Sequence, residues 1–203
     1  KTLIENCIAT ITISRPKQLN ALSIRVLDDL KEAFESVKEN KDVGVIILTG
    51  EGDRAFIAGA DIKEMHTLSS EEAMKYSLYG QSLTILIENF PKPVIAAING
   101  FALGGGCEFA MACHIRYASE TARLGQPEVG LGLIAGFGGT QRLPRLVGKG
   151  RALEILLSGG MISALDAKDM GLVNEIYSQE ALMEACIKLA SKILKNSPIA
   201  LCE

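Results

Sequence analysis

Between Pro93 and His114 the chain reads PVIAAINGFALGGGCEFAMACH, which is an apolar run, then three consecutive glycines, then one acidic residue in an apolar segment. The run Val94 to Ile98 predicts a buried strand, because it is wholly apolar and lies between a proline and an Asn-Gly pair. The segment Cys107 to Ala112 predicts the first turns of a buried helix. The stretch therefore predicts a strand, a glycine loop and a helix inside the molecule.

The glycine loop and Glu108 are the unusual features of this stretch. Glycines let another group approach the main chain closely, and free N–H groups at a helix start suit a developing negative charge. A buried carboxylate is costly unless it is paired or protonated. Two interpretations of Glu108 remain open here: a structural glutamate in a salt bridge at the helix start, or a functional carboxylate.

The segments before this stretch predict the fold class. Ile8 to Ile13 alternates threonine with apolar residues and predicts a strand, and a helix follows Ser23 to about residue 40. Val43 to Thr49 is a continuous apolar run, typical of a strand buried on both faces. Strand, helix and strand in this order favour an α/β fold. The other predicted elements are a helix after a capping box at 69–72, a strand at 115–118, helices at 140–146 and 151–157, a helix opened by Ser163, an extended piece at 172–177 and a helix at 180–195.

Composition limits the possible functions. The chain has 203 residues with 48% hydrophobic and 22% charged side chains, enough for one domain with a sizeable core. A net charge of −3 with dispersed charges gives no footprint for nucleic acid, and no apolar run is long enough to span a membrane. Five scattered cysteines without a C-x-x-C pair favour a reduced, intracellular compartment. With two histidines and no metal-spaced cluster, we expect no metal site.

Two carboxylates and two stretches of bare backbone form a candidate site. Glu108 and Glu128 are the acids set in glycine-rich, apolar surroundings, and paired carboxylates in a dry pocket can perform general acid–base catalysis. The N–H groups of Ala60 and Gly105 could form an oxyanion hole. Because no Ser-His or Cys-His pair is evident, enolate chemistry fits better than acyl transfer. We expect Asp61 to cap a short helix, Ile62 to Met65.

Three segments, residues 56–65, 93–108 and 126–143, together resemble the crotonase (enoyl-CoA hydratase/isomerase) superfamily, and the resemblance extends from about Ile8 to Leu201. It implies an α/β fold, a crotonase-type spiral of ββα units, as one domain over residues 1–203. The family pattern continues beyond Glu203, so a C-terminal helical segment is expected to be missing. The resemblance also implies a homotrimer or hexamer, in the bacterial cytoplasm or alternatively in the mitochondrial matrix.

The resemblance implies an enoyl-CoA hydratase, a hydro-lyase that adds water reversibly to a trans-2-enoyl-CoA thioester. Coenzyme A would be part of the substrate, and no separate cofactor is expected. The implied roles are catalysis by Glu108 and Glu128, an oxyanion hole from Ala60 and Gly105, substrate binding by Ala58, Gly59, Asp61, Ile62 and Lys63, and support of the second glutamate by Gly136 and Gly139.

Two other functions remain open. Members of the superfamily with other reactions commonly lack one of the two glutamates, so the presence of both favours hydration over a Δ3,Δ2-enoyl-CoA isomerase or another crotonase-type reaction. A catalytically silent acyl-CoA-binding protein is the alternative of another class. The chain departs from the usual family pattern at His114, Ala135 and Gly160, none of which matches a catalytic position.

Overall fold

The computed structural model describes residues 1–201. Its strands are β1 (Thr2–Glu5), β2 (Ile8–Ile13), β3 (Val45–Gly50), β4 (Ala55–Ile57), β5 (Val94–Ile98), β6 (Phe101–Leu103), β7 (Ile115–Ser119), β8 (Arg123–Gly125), β9 (Met161–Ser163) and β10 (Glu175–Tyr177). Its α-helices are α1 (Ile24–Lys38), α2 (Ile62–Met65), α3 (Ser70–Glu88), α4 (Gly105–Ala112), α5 (Gly139–Val147), α6 (Lys149–Ser158), α7 (Ala164–Asp169), α8 (Leu182–Ile193) and α9 (Pro198–Leu201). Short 3-10 helices lie at Pro16–Gln18 and Pro127–Leu131.

The strands form two sheets, and the chain alternates between them. The larger sheet has the order β1-β2-β3-β5-β7-β10 and the smaller has the order β4-β6-β8-β9. In the pairs β3 and β4, β5 and β6, and β7 and β8, the first strand joins the larger sheet and the second joins the smaller. The central pairings of both sheets are parallel. Helices follow the pairs, so the chain forms a spiral of ββα units, as the resemblance implies.

The core lies on both faces of the larger sheet. On one face, α8 contributes Leu182, Cys186 and Ala190 to a cluster with alternate residues of β3 and β5, such as Ile47 and Ile95. The opposite face belongs to a larger cluster that includes α1, the smaller sheet and all-buried α4. The segment that predicted a buried strand and helix therefore lies at the centre of the molecule.

Most elements predicted from the sequence are confirmed, including β5 with its predicted bounds. Strand β3 begins at Val45, two residues later than predicted, because Gly44 still belongs to the turn whose N–H donates to Cys7 O. The prediction that Asp61 caps α2 is wrong: the helix forms, but the Asp61 side chain accepts no hydrogen bond from its backbone. Cys202 lies outside the described residues. None of the helices within residues 1–201 combines the length and the apolar character needed to cross a membrane.

Candidate active site

A cavity of about 270 Å³ lies where β4 and β6 of the smaller sheet end. Backbone of the loops after these strands forms one wall, and α3 and the residues around 127–137 form the others. Residues from distant parts of the sequence meet here, namely Ala60, Tyr76, Gly105, Glu108, Glu128 and Phe137. A larger open cleft of about 470 Å³ beside Arg15 and Asp29 contains neither glutamate, so the chemistry predicted from the sequence belongs to the smaller cavity.

The glycine loop is needed for two close approaches. Gly104 has φ +52°, and a Cβ there would lie 2.9 Å from Glu128 Oε1. A Cβ at Gly106 would lie 1.9 Å from the carbonyl oxygen of Ile57, at the end of β4. Because both positions are bare, helix α4 can begin directly against β4 while Glu128 approaches the same turn.

The loop after β4 is held by backbone hydrogen bonds to a single segment, residues 19–22. Ala58 N–H donates to Leu19 O at 3.1 Å, Leu22 N–H donates to Gly59 O at 2.9 Å, and Asp61 N–H donates to Leu22 O at 2.8 Å. The N–H of Ala60 takes part in none of these bonds. The segment thus fixes the loop without using the Ala60 N–H.

Two backbone donors at the cavity have no protein acceptor. Within residues 1–201, neither the Ala60 N–H nor the Gly105 N–H donates to a backbone or side-chain acceptor. Backbone N–H groups away from water are nearly always paired. Gly105 is the first residue of α4, where the helix dipole adds to the attraction for negative charge. Both residues line the cavity, so their N–H groups are available to a group bound there.

The structure separates the five predicted substrate-binding residues into two groups. Ala58, Gly59 and Ile62 line the cavity. Asp61 and Lys63 do not. The Asp61 carboxylate accepts a hydrogen bond from Arg15 Nη2 at 3.1 Å, which explains why it does not cap α2. Because Arg15 also donates to Ala21 O, this ion pair ties the loop to the segment 19–22.

Glu108 is buried on α4, with 1% of its surface exposed. Its Oε1 accepts the N–H of Phe137 at 2.8 Å and the N–H of Gly139 at 2.6 Å. Within the described residues it forms no ion pair, so the interpretation as a salt-bridged structural glutamate is wrong. Burial raises its pKa to about 7, with a further contribution from the charge of Glu128, although the two N–H donors oppose the rise.

Glu128 is half-buried in the 3-10 helix Pro127–Leu131, and burial raises its pKa as well. The neighbouring Gln126 side chain is buried and lies against this carboxylate. When the Gln126 amide is oriented by its neighbouring donors and acceptors, its nitrogen donates to Glu128 Oε1 at 2.9 Å and to Oε2 at 3.1 Å. Gln126 therefore fixes the second carboxylate and partly offsets the cost of burying it.

Sequence reasoning missed Gln126 and Phe137 and assigned one glycine to the wrong glutamate. Gly139 donates to Glu108, not to the second glutamate, Glu128. Gly136 contacts neither glutamate; its carbonyl oxygen accepts hydrogen bonds from Ser77 and Gln81 on α3. The sequence signal available for Gln126 is an amide side chain two residues before Glu128. Phe137 donates through its backbone N–H, so its residue type gives no signal.

The raised pKa of Glu108 predicts a pH-dependent stability. Between its ordinary value of 4.5 and about 7, the folded state binds more protons than the unfolded state, so the free energy of unfolding falls as pH rises through this interval. Glu108→Gln removes the carboxyl group that causes this pH dependence. We expect the variant to gain stability relative to the unmutated protein from about pH 4.5 to about pH 7, by on the order of 3 kcal/mol, measured by urea unfolding.

The matched control for this measurement is Glu32→Gln, at an exposed position on α1. It should leave the pH dependence of unfolding unchanged. A stability difference between Glu108→Gln and the unmutated protein that stays constant from pH 4 to pH 8 would show that the carboxyl does not titrate as the burial requires.

The chain matches the family model for enoyl-CoA hydratase/isomerase over residues 3–203. A crotonyl-CoA hydratase from Syntrophomonas wolfei is 48% identical over 196 residues, covering 97% of this chain and 75% of the relative. A mitochondrial enoyl-CoA hydratase from Pongo abelii is 50% identical over 196 residues, covering 96% of this chain and 66% of the relative. The chain thus spans two thirds to three quarters of the length of these relatives.

Solved structures share the fold. The crystal structure of an enoyl-CoA hydratase from Bacillus anthracis superposes with a TM-score of 0.96 at 42% identity, covering 99% of this chain and 78% of that one. An enoyl-CoA hydratase structure from Geobacillus kaustophilus gives a TM-score of 0.94 at 41% identity, covering 100% and 77%. The family match, the identity over nearly the whole chain and the common fold lead to one conclusion: this chain belongs to the enoyl-CoA hydratase/isomerase family.

Proposed function

We propose that the chain is an enoyl-CoA hydratase, which adds water reversibly across the 2,3 double bond of a trans-2-enoyl-CoA to give a 3-hydroxyacyl-CoA. The observation that supports this most strongly is the presence of two carboxylates, Glu108 and Glu128, in one cavity with two unpaired backbone donors. The relatives with hydratase names, crotonyl-CoA hydratase among them, support the same reaction.

The N–H groups of Ala60 and Gly105 would hold the thioester carbonyl oxygen. As the carbonyl gains negative charge in the transition state, donors that are already in place stabilise it without reorganisation. This charge is largest in the enolate, which forms when a nucleophile adds to the β carbon. The hole therefore stabilises the addition more than it stabilises the bound substrate.

The two glutamates would divide the proton transfers. Glu108, as a carboxylate, takes a proton from a water whose oxygen bonds to the β carbon, and the double-bond electrons pass to the carbonyl oxygen. Glu128, as the acid, gives a proton to the α carbon as the enolate collapses. A proton then passes from Glu108 back to Glu128. Burial raises the pKa of both groups, which favours one shared proton over two ionised carboxylates.

All atoms of this reaction come from the enoyl thioester and one water, so the proposal needs no cofactor apart from the coenzyme A within the substrate. Among residues 1–201 no group of His, Cys, Asp or Glu side chains is placed to hold a metal ion. The homotrimer or hexamer and the compartment implied by the family resemblance stay predictions.

Turnover across a series of trans-2-enoyl-CoA thioesters tests the proposal. We expect loss of the enoyl absorbance with crotonyl-CoA, and a lower kcat/KM with long-chain substrates, because a cavity of about 270 Å³ is small for an acyl chain. A gain of absorbance from a 3-enoyl-CoA without hydration of the 2-enoyl product would support the isomerase. Binding of crotonyl-CoA without any turnover would identify a silent acyl-CoA-binding protein.

A further inference from the structure

Arg142 on α5 is a buried cation that lies outside the cavity. Only 8% of its surface is exposed, and its guanidinium makes a fork of contacts. Nη2 donates to Glu88 Oε2 at 2.7 Å, while Nη1 donates to Phe137 O at 3.0 Å and to Thr84 Oγ1 at 3.1 Å. Burying a charge is costly, so a buried arginine held by this many directed bonds calls for a physical role.

The turn 137–139 links Arg142 to Glu108. On one side of the turn, the carbonyl oxygens of Phe137 and Gly138 accept from the Arg142 side chain and from the Arg142 N–H, at 3.0 Å each. On the other side, the N–H groups of Phe137 and Gly139 donate to Glu108 Oε1. Thr84 Oγ1 also donates to Phe137 O, at 2.9 Å. The turn therefore lies between a fixed cation and the buried carboxylate.

We infer that Arg142 is a positioning residue for Glu108: by holding the turn 137–139, it fixes the two backbone donors that orient the Glu108 carboxylate towards the reacting water. This inference rests on the proposed function. It assigns Arg142 no contact with the substrate, because the side chain reaches the carboxylate only through the turn.

The charge of Arg142 adds a second, measurable effect. Two charged groups act on the titration of Glu108 from the elements around it. The positive charge of Arg142 on α5 lowers the pKa of Glu108, and Glu128 in the 3-10 helix raises it. Cys107, the neighbour on α4, is a thiol whose own pKa is raised to about 12 by burial and so stays uncharged near neutral pH. Removal of Arg142 therefore leaves the charge of Glu128, which raises the pKa of Glu108, without an opposing positive charge.

The test compares Arg142→Met, Arg142→Lys and Glu88→Gln in crotonyl-CoA hydration. We expect Arg142→Met to lower kcat by about 10-fold to 100-fold with little change in KM, because misplacement of a catalytic group by about 1 Å can cost about 100-fold. The acid limb of its kcat–pH profile should move to higher pH, because Glu108 would hold its proton more strongly. Arg142→Lys should return the limb towards its original position while restoring only part of kcat, since an ammonium lacks the planar fork.

Glu88→Gln is the matched control. It removes the exposed partner of the ion pair but keeps the bonds of Arg142 to Phe137 and Thr84, so kcat should stay within about threefold and the acid limb should not rise. A kcat and acid limb unchanged in Arg142→Met would overturn the inference. So would an acid limb that moves as far in Arg142→Lys as in Arg142→Met. If Arg142→Met does not fold, the kcat of folded Arg142→Lys decides: the inference expects a lowered kcat, because the planar fork is lost, whereas a purely structural arginine would lower only the stability.

A second readout separates this inference from the proposed function. The titration of Glu108 can be followed by carbon-13 NMR of the labelled carboxyl group, which requires no turnover. If the titration of Glu108 moves to higher pH in Arg142→Met, the inference is supported, even if the unmutated protein hydrates no enoyl-CoA. Hydration by the unmutated protein with no shift in Arg142→Met overturns the inference and leaves the proposed function standing.

Discussion

Replacement of either glutamate by glutamine is expected to lower kcat for crotonyl-CoA hydration by about 10² to 10⁴, the range that a positioned general acid or base contributes. Glutamine keeps the size of the side chain. In Glu108→Gln, the amide oxygen can still accept the N–H groups of Phe137 and Gly139, so the local structure should survive. What the amide cannot do is take a proton from water or give one to carbon.

Two further measurements make this test strict. The kcat of the double variant Glu108→Gln/Glu128→Gln should be little lower than that of the less active single variant, because residues that act as one unit give non-additive effects. Glu108→Gln should also be more stable than the unmutated protein at neutral pH, which would exclude unfolding as the cause of its lowered kcat. A kcat near that of the unmutated protein in either single variant would remove the assignment of both carboxylates.

Gly105→Pro is expected to lower kcat by about 10² to 10³ relative to Gly105→Ala, because proline removes the N–H that would bind the thioester oxygen. Gly105 is the first residue of α4, where proline is well tolerated because its missing N–H has no intrahelical partner. The comparison uses kcat for crotonyl-CoA, with circular dichroism to verify folding.

Gly105→Ala is the control for the added Cβ. A Cβ at this position would lie 3.1 Å from the ring of Phe137 and 3.3 Å from Leu22, so both variants carry this crowding, and proline adds Cγ and Cδ as well. The alanine variant keeps its N–H and the proline variant does not. Equal kcat values in the two variants would show that the Gly105 N–H does not contribute to the reaction.

The sequence predicts the larger sheet better than the smaller one. Strand β5 was predicted with its observed bounds, since five apolar residues between Pro93 and Asn99 leave few other arrangements. Strands β4, β6, β8 and β9 have three residues each and were not predicted, because three residues are too few to show a periodicity of two. Their position depends on pairing between distant segments, which a local pattern does not contain.

The same limit applies to the candidate site. Glu108 and Glu128 are visible in the sequence because a carboxylate is conspicuous among glycines and apolar residues. Asp61 was wrongly predicted to cap α2, because local capping rules do not include Arg15, which lies 46 residues away along the chain. The fork of Arg142 and the link from Gly139 to Glu108 likewise depend on tertiary contacts. Local chemistry thus identifies the reacting groups, whereas the groups that orient them become visible only in the fold.

The pairing of β4 with β6 has a consequence for the spacing of the two backbone donors. Ala60 follows the end of β4 and Gly105 follows the end of β6, and these strands are parallel neighbours in the smaller sheet. Adjacent strands lie about 4.8 Å apart. Two N–H groups that donate to one oxygen at about 2.9 Å each have nitrogens about 4.8 Å apart when the N–O–N angle is about 110°. The hydrogen-bond ladder of the smaller sheet would thus set the width of the proposed oxyanion hole, while the walls of the cavity, which come from α3 and residues 127–137, can change without altering it.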